Sequence, residues 1–113
     1  MWTISGNEIH FDDGSTVQFP YDIQECQRID DVLVVVLDLP RDSRMTENVF
    51  GVSLDGKIIW QIERTPEMSK DPINFYTGIL KPSSRGVRLA NWNGVSADVD
   101  VRTGKISDFG ITK

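Results

Sequence analysis

Hydrophobic and polar residues alternate along much of this chain. The clearest run is Val95, Ala97, Val99 and Val101, interleaved with Ser96, Asp98, Asp100 and Arg102. Period two puts one face of an extended strand into a core and leaves the other in water. Segments of this kind, weighted toward β-branched and aromatic residues, run from Asn7 to Phe11, Thr16 to Phe19, Ile23 to Ile29, Val32 to Leu39 and Val49 to Leu54. Further ones run from Ile58 to Glu63, Asn74 to Leu80, Val87 to Trp92, Val95 to Val101 and Lys105 to Phe109. About ten short strands predict an all-β domain, an antiparallel meander that is barrel-like or a sandwich. The unbroken apolar run Val32 to Leu37 is expected to be a central strand covered on both faces, or one that pairs across a dimer.

Four glycines preceded by turn-favouring residues punctuate the strands: Asp13-Gly14, Asp55-Gly56, Asn93-Gly94 and Thr103-Gly104. Asp-Gly and Asn-Gly suit two-residue type I′ hairpin turns, whose central positions need positive φ. Two longer connections, Pro40 to Asn48 and Arg64 to Ile73, are where function is expected to sit. In the second, Thr65 reads as an N-cap and Pro66 as a first helical residue, enough for one short helical turn near Thr65–Lys70. Glycines 14, 56 and 94 lie about 40 residues apart, near the spacing of propeller blades. A closed propeller of four-stranded blades needs a longer chain than this one.

Turn position sets cross-strand pairing. A two-residue turn at Asp55-Gly56 pairs Ser53 with Ile58, Gly51 with Trp60 and Val49 with Ile62, so the indole covers the backbone that the strand glycine leaves bare. A two-residue turn at Asn93-Gly94 pairs Ala90 with Ala97 and Arg88 with Val99. That places a cation on the apolar face, and the favoured reading sends its head to the rim. A bulge that pairs Leu89 with Ala97 is the alternative.

Composition narrows the chemistry. The chain has 113 residues and a net charge of −5, with its Lys and Arg scattered. That disfavours nucleic-acid binding, which draws on clustered cations, and favours a basic protein partner. The longest apolar run has six residues, so no membrane helix is expected, and the N-terminus lacks the features of a signal peptide. With one cysteine, Cys26, a reducing cytoplasmic setting is the expectation. One histidine, His10, and that one cysteine make a metal site improbable, and no phosphate-binding or nucleophile motif occurs. No cofactor and no catalytic residues are predicted. The carboxylates Glu63, Asp98 and Asp100 offer a remote enzyme reading, although their alternation with apolar residues fits a solvated face.

The aromatics remain. Trp and Tyr are enriched at binding hot spots, and Trp92 at a hairpin tip is the leading candidate, grouped with Arg88, Asn91, Asn93 and Tyr76. The stretch from Asn48 through Asp55-Gly56-Lys57-Ile58-Ile59-Trp60 to Glu63, with Tyr76, Leu89 to Gly94 and Asp100 to Ile106, resembles a family of small uncharacterised bacterial β proteins. Locally, Asp55 to Trp60 and Thr103 to Ile106 are also similar to hairpins of quinoprotein-type propellers. The resemblance implies a stand-alone bacterial domain without a cofactor. The expectation is a non-enzymatic interaction module, an acidic immunity-type protein that neutralises a basic one. A small-ligand binder lined by Trp92, Tyr76 and Asn91 is the alternative.

Overall fold

Alternation and turn glycines resolve into eleven strands in a computed structural model that describes residues 1–40, 45–63, 75–82, 86–92 and 94–111. They are β1 (Trp2–Ser5), β2 (Glu8–Phe11), β3 (Thr16–Gln18), β4 (Ile23–Ile29), β5 (Val32–Leu37), β6 (Val49–Ser53), β7 (Ile58–Gln61), β8 (Tyr76–Pro82), β9 (Gly86–Asn91), β10 (Val95–Asp100) and β11 (Ile106–Ile111). Consecutive strands pair antiparallel into a first sheet β1-β2-β3, a central sheet β4-β5-β6-β7 and a third sheet β8-β9-β10-β11. The all-β expectation holds, and the arrangement is sandwich-like with no closed barrel. Strand β1 escaped the sequence reading because it is four residues long and its turn, Gly6-Asn7, lacks the Asp-Gly or Asn-Gly signature. Gly6 has φ of +59°, as the first position of a two-residue turn between Ser5 and Glu8 demands. The expected helical turn at Thr65–Lys70 lies outside the described residues. Among those residues no helix is long and apolar enough to cross a membrane.

The apolar run of β5 explains the stacking. All six of its residues are buried. Val32, Val34 and Val36 point into a core shared with Tyr76, Val87, Leu89, Ala97 and Val99 of the third sheet. Leu33, Val35 and Leu37 point the other way, against Ile9, Phe11, Val17 and Phe19. A strand without a polar face is stable only between two layers, so the central sheet is sandwiched. Burying each such side chain contributes about 1.5–3 kcal/mol. The outward faces of the end sheets are polar: Thr3, Ser5, His10, Thr16 and Gln18 on one, Arg88, Asp98 and Asp100 on the other.

Polar side chains join the layers where strand ladders cannot. The indole of Trp60 lies between Gly51 and Gly104, and its Nε1 donates to Val101 O at 2.6 Å. Buried Asn48 acts as a piece of strand, its Nδ2 donating to Leu37 O (3.0 Å) and Tyr76 O (2.8 Å) while Oδ1 accepts from Tyr76 N (2.8 Å). The bulge at Gln24 in β4 re-aims that amide to Thr77 O, and Glu25 Oε1 accepts from Ile79 N at 2.9 Å. Edge strand β8 is thus occupied by side chains and interrupted by two bulges of its own, which suits a strand that must not pair with another chain.

Three hairpins differ from the sequence expectation for one reason. At Asp55-Gly56 and Asn93-Gly94 the loop has three residues, closed by Gly56 N to Ser53 O (3.1 Å) and Gly94 N to Asn91 O (3.1 Å), with φ of +87° and +86° at the glycines. The Asp13-Gly14 loop has the same form, with Gly14 N donating to Phe11 O at 3.0 Å. Each loop ends in a left-handed glycine and holds one residue more than a two-residue turn, so each register moves by one residue. In the β6–β7 hairpin the pairing of Ser53 with Ile58 is replaced by Val52 with Ile58, and a bulge at Ile59 then restores Gly51 opposite Trp60, as expected. The β9–β10 hairpin has no compensating bulge. Leu89 pairs with Ala97 and Val87 with Val99, which overturns the favoured placement of Arg88 among apolar residues. Arg88 instead stands opposite Asp98 on the outer face.

Candidate functional site

The third sheet carries the residues singled out from sequence, and its pleat divides them. On β9, Arg88 faces outward while Leu89 and Asn91 face the core. Arg88 Nη1 donates to Asp98 Oδ1 at 3.0 Å, with the two side chains 22% and 26% exposed. The ion pair explains why a cation sits mid-strand on this face: the register that hides Leu89 brings a carboxylate beside it. Tyr76 pairs with Asn91 across β8 and β9, and both are buried. Arg88 is therefore on the opposite face of the sheet from Tyr76 and Asn91, and the four described candidates do not converge on one lining. Asn93 lies outside the described residues.

Trp92 is the exposed member. It follows β9 in the hairpin loop, remains 60% exposed, and stacks on Phe75 with centroids 5.8 Å apart and planes 16° from parallel. Trp92 N donates to Phe75 O at 2.9 Å, which fixes the backbone under the stack. An indole in water is normally free to turn. Here an offset aromatic pair, worth about 0.5–1.5 kcal/mol, holds it face out. Nothing in the sequence joins Phe75 to Trp92, because the two lie across the β8–β9 pairing, whose register the fold sets.

Tyr76 has a different role from the one its chemistry suggested. Its hydroxyl is buried and finds no hydrogen-bond partner among the described residues. Burial, then the charges of Glu63 and Glu47, hold its proton on well above the ordinary tyrosine range. A buried hydroxyl without a partner costs desolvation and returns nothing. Tyr76→Phe is expected to leave stability unchanged or raise it by up to about 1 kcal/mol in urea titrations. A loss of more than about 1 kcal/mol would show that the hydroxyl is engaged.

Other reactive groups are occupied structurally. His10 Nε2 lies 3.2 Å from Glu8 Oε1 and its Nδ1 3.2 Å from Thr16 Oγ1, a carboxylate–imidazole–hydroxyl row. That row runs across the outer face of the first sheet, open to water. Cys26 packs partly buried against the core of the first and central sheets. Burial and then Glu25 push its thiol up to about 11, so it stays protonated at neutral pH. The three carboxylates of the remote enzyme reading are each engaged. Glu63 Oε1 accepts from Ile106 N (3.0 Å), Asp98 holds Arg88, and Asp100 Oδ1 caps Arg102 N (2.9 Å). Among the described residues no group of three or more His, Cys, Asp or Glu is placed to hold a metal ion.

Comparison with known proteins adds the family. No curated protein and no solved structure matches the chain. The family DUF7957, described as a domain of unknown function, matches residues 1–111, which is nearly the whole chain and includes all three of the sheets just described; the chain belongs to this family.

Proposed function

We propose that this domain is a non-enzymatic protein-interaction module, an acidic immunity-type binder of a basic protein, anchored by Trp92. The observation that supports the reading is the indole itself, 60% exposed yet held on Phe75. A rigid exposed Trp loses little side-chain entropy on binding and offers a large contact area, the usual character of an interface hot spot. The net charge of −5 would speed encounter with a basic partner and disfavour acidic ones. The small-ligand reading draws less support, because Trp92 is separated from buried Tyr76 and Asn91 instead of lining a pocket with them.

The test uses the full chain as bait in an extract of the cells that encode it, in parallel with Trp92→Ala. Truncating a hot-spot Trp is expected to cost at least about 2 kcal/mol of binding, roughly thirtyfold in retention of a specific partner. Folding stability should change by less than about 1.5 kcal/mol, the value of the aromatic stack. Equal retention of the same partner by both baits would remove Trp92 as the anchor.

A further inference from the structure

A sheet edge is a row of backbone donors and acceptors without partners, and folded proteins blunt such edges with bulges, prolines, charges or short strands. Among the described residues, five of the six edges in this domain are blunted. Strand β3 has three residues and runs into Phe19-Pro20. Strands β4, β7 and β11 each carry a bulge and β8 carries two, while side chains of Gln24, Glu25 and Glu63 occupy backbone groups of β8 and β11. Strand β1, Trp2-Thr3-Ile4-Ser5, has no charged side chain, no proline and no break in its register with β2.

The ladder fixes which groups of β1 face outward. Asp12 N donates to Met1 O at 3.2 Å, and hydrogen-bonded pairs recur at every second residue of an antiparallel ladder. Thr3 with His10 and Ser5 with Glu8 are therefore bonded pairs, and the N–H and C=O of Trp2 and Ile4 point away from β2. The far side of β2 agrees: Phe11 N donates to Ser15 O at 2.9 Å, so Phe11 and Ile9 turn to β3 and leave Glu8 and His10 to β1. No hydrogen bond from a described residue reaches the outward groups of Trp2 and Ile4. Ile4 faces the same side as buried Ile9 yet stays 42% exposed, at the limit of the layer.

Charge selects the kind of strand that fits. Residues 1–22, which hold the whole first sheet, contain Glu8, Asp12, Asp13 and Asp22 and no Lys or Arg, while the rest of the chain has thirteen acidic and twelve basic residues. Nearly all of the net negative charge therefore belongs to this layer, with Asp12 offset by the Met1 amine at 3.1 Å. Glu8 shares the outer face with Thr3 and Ser5, whose short side chains leave its carboxylate open to an approach from the edge. A second copy of the chain would bring the same carboxylates to the seam, so self-pairing is opposed and a cationic strand is favoured.

We propose that the edge of β1 accepts an extended segment of the basic partner as a fourth strand of the first sheet, an inference that rests on the interaction-module reading above and gives it a second contact apart from Trp92. The segment alternates Lys or Arg, lying over Thr3 and Ser5 toward Glu8, with apolar residues that cover Ile4. In strand addition the main-chain bonds give affinity and the alternate side chains give specificity.

The test titrates the full ¹⁵N-labelled chain with acetyl-Lys-Val-Lys-Val-Lys-Val-amide and with two counterparts, one carrying Glu in place of Lys and one carrying Pro in place of Val. The first offers strand and charge, the second strand alone and the third charge alone, because proline does not donate to a ladder. The lysine–valine peptide is expected to give saturable shifts at Trp2, Thr3 and Ile4 and to slow exchange of the Trp2 and Ile4 amides, with an affinity at least about tenfold above either counterpart. Ile4→Pro deletes an outward donor and no ladder bond, so binding should fall at least about fivefold while the Thr3 and Ser5 amides stay protected. Glu8→Gln leaves the edge backbone intact and should weaken binding about threefold. Shifts centred on Thr16 and Gln18 of β3, an equal response to the proline peptide, or unchanged binding by both variants would overturn the proposal. In the cell extract, a partner lost by Trp92→Ala and retained in full by Ile4→Pro leaves the interaction reading standing and removes the edge. No partner captured by the unaltered chain, with the lysine–valine peptide still seated on β1, removes that reading and keeps the edge as a strand-binding site.

Discussion

Trp60→Ala is expected to destabilise the fold by about 3–5 kcal/mol, the range for removing a buried aromatic side chain. The indole is 7% exposed and fills the space between the central and third sheets. Its Nε1–H is the donor to Val101 O, a bond spanning 41 residues of chain. Both ring faces meet glycine: a Cβ built at Gly51 would fall within the indole, and one at Gly104 would come within 2.7 Å of it. With alanine at 60 there is little for the two glycine backbones to collapse onto, so the cavity term adds to the transfer term. Trp60→Phe should recover part of the packing but not the hydrogen bond, and should fall between the two. A double-mutant cycle isolates the contact. Gly104→Ala is strained in any background because φ is +75°, but its clash with the ring disappears once Trp60 is alanine, so the two costs should sum to more than the double variant loses. Urea denaturation of the four proteins decides it; a loss below about 1.5 kcal/mol for Trp60→Ala would show that the layers are held elsewhere.

Asn48→Ala is expected to cost a similar amount, about 3–5 kcal/mol, for a polar reason. Asn48 is fully buried and makes three hydrogen bonds to backbone groups of Leu37 and Tyr76. Alanine would leave Tyr76 N without that acceptor and remove a donor from two carbonyls, and each buried group stranded in this way costs about 1–3 kcal/mol. Asn48→Asp tests the assignment more sharply. The carboxylate keeps an acceptor for Tyr76 N but replaces the amide donor with an oxygen facing two carbonyl oxygens, and places a charge in the core. It should be at least as damaging as alanine despite being nearly isosteric. Amide exchange at Tyr76 should accelerate in the alanine variant; exchange as slow as in the unaltered protein would mean that another group holds that amide. Since domains of this size are stable by only about 5–15 kcal/mol, either substitution approaches the limit of folding.

How much of this was readable beforehand varies by residue. Trp60 over Gly51 was legible because the hairpin places both residues within one local unit, and the turn error was cancelled by the bulge at Ile59. The β9–β10 pairing was not. Asn-Gly was assigned a two-residue turn, whereas the fold uses three residues, and a single-residue difference sends Leu89 inward and Arg88 outward. The clean alternation of β10 already favoured the register that the core enforces, since burying Leu89 and Val87 outweighs a preferred turn type. Of the candidate site, Trp92 was visible as an aromatic beside a turn glycine. Its partner Phe75 was not, nor was the burial of Tyr76, because sequence shows an aromatic without showing which way the strand faces.

Sequence alone placed ten of the eleven strands and the positions of most turns, and offered two-sided burial as one of two readings of β5, because alternation, turn glycines and an unbroken run such as Val32 to Leu37 are relations among near neighbours. Only the tertiary structure decided which sheets cover the two faces of β5, that Asn48 would serve as a strand for Tyr76, that Trp60 would bond Val101, and that Asp22 would stand beside Asp38. These contacts join segments far apart along the chain. Each polar group in them has many possible partners in the sequence, and the packing of three layers selects one by excluding water from the rest.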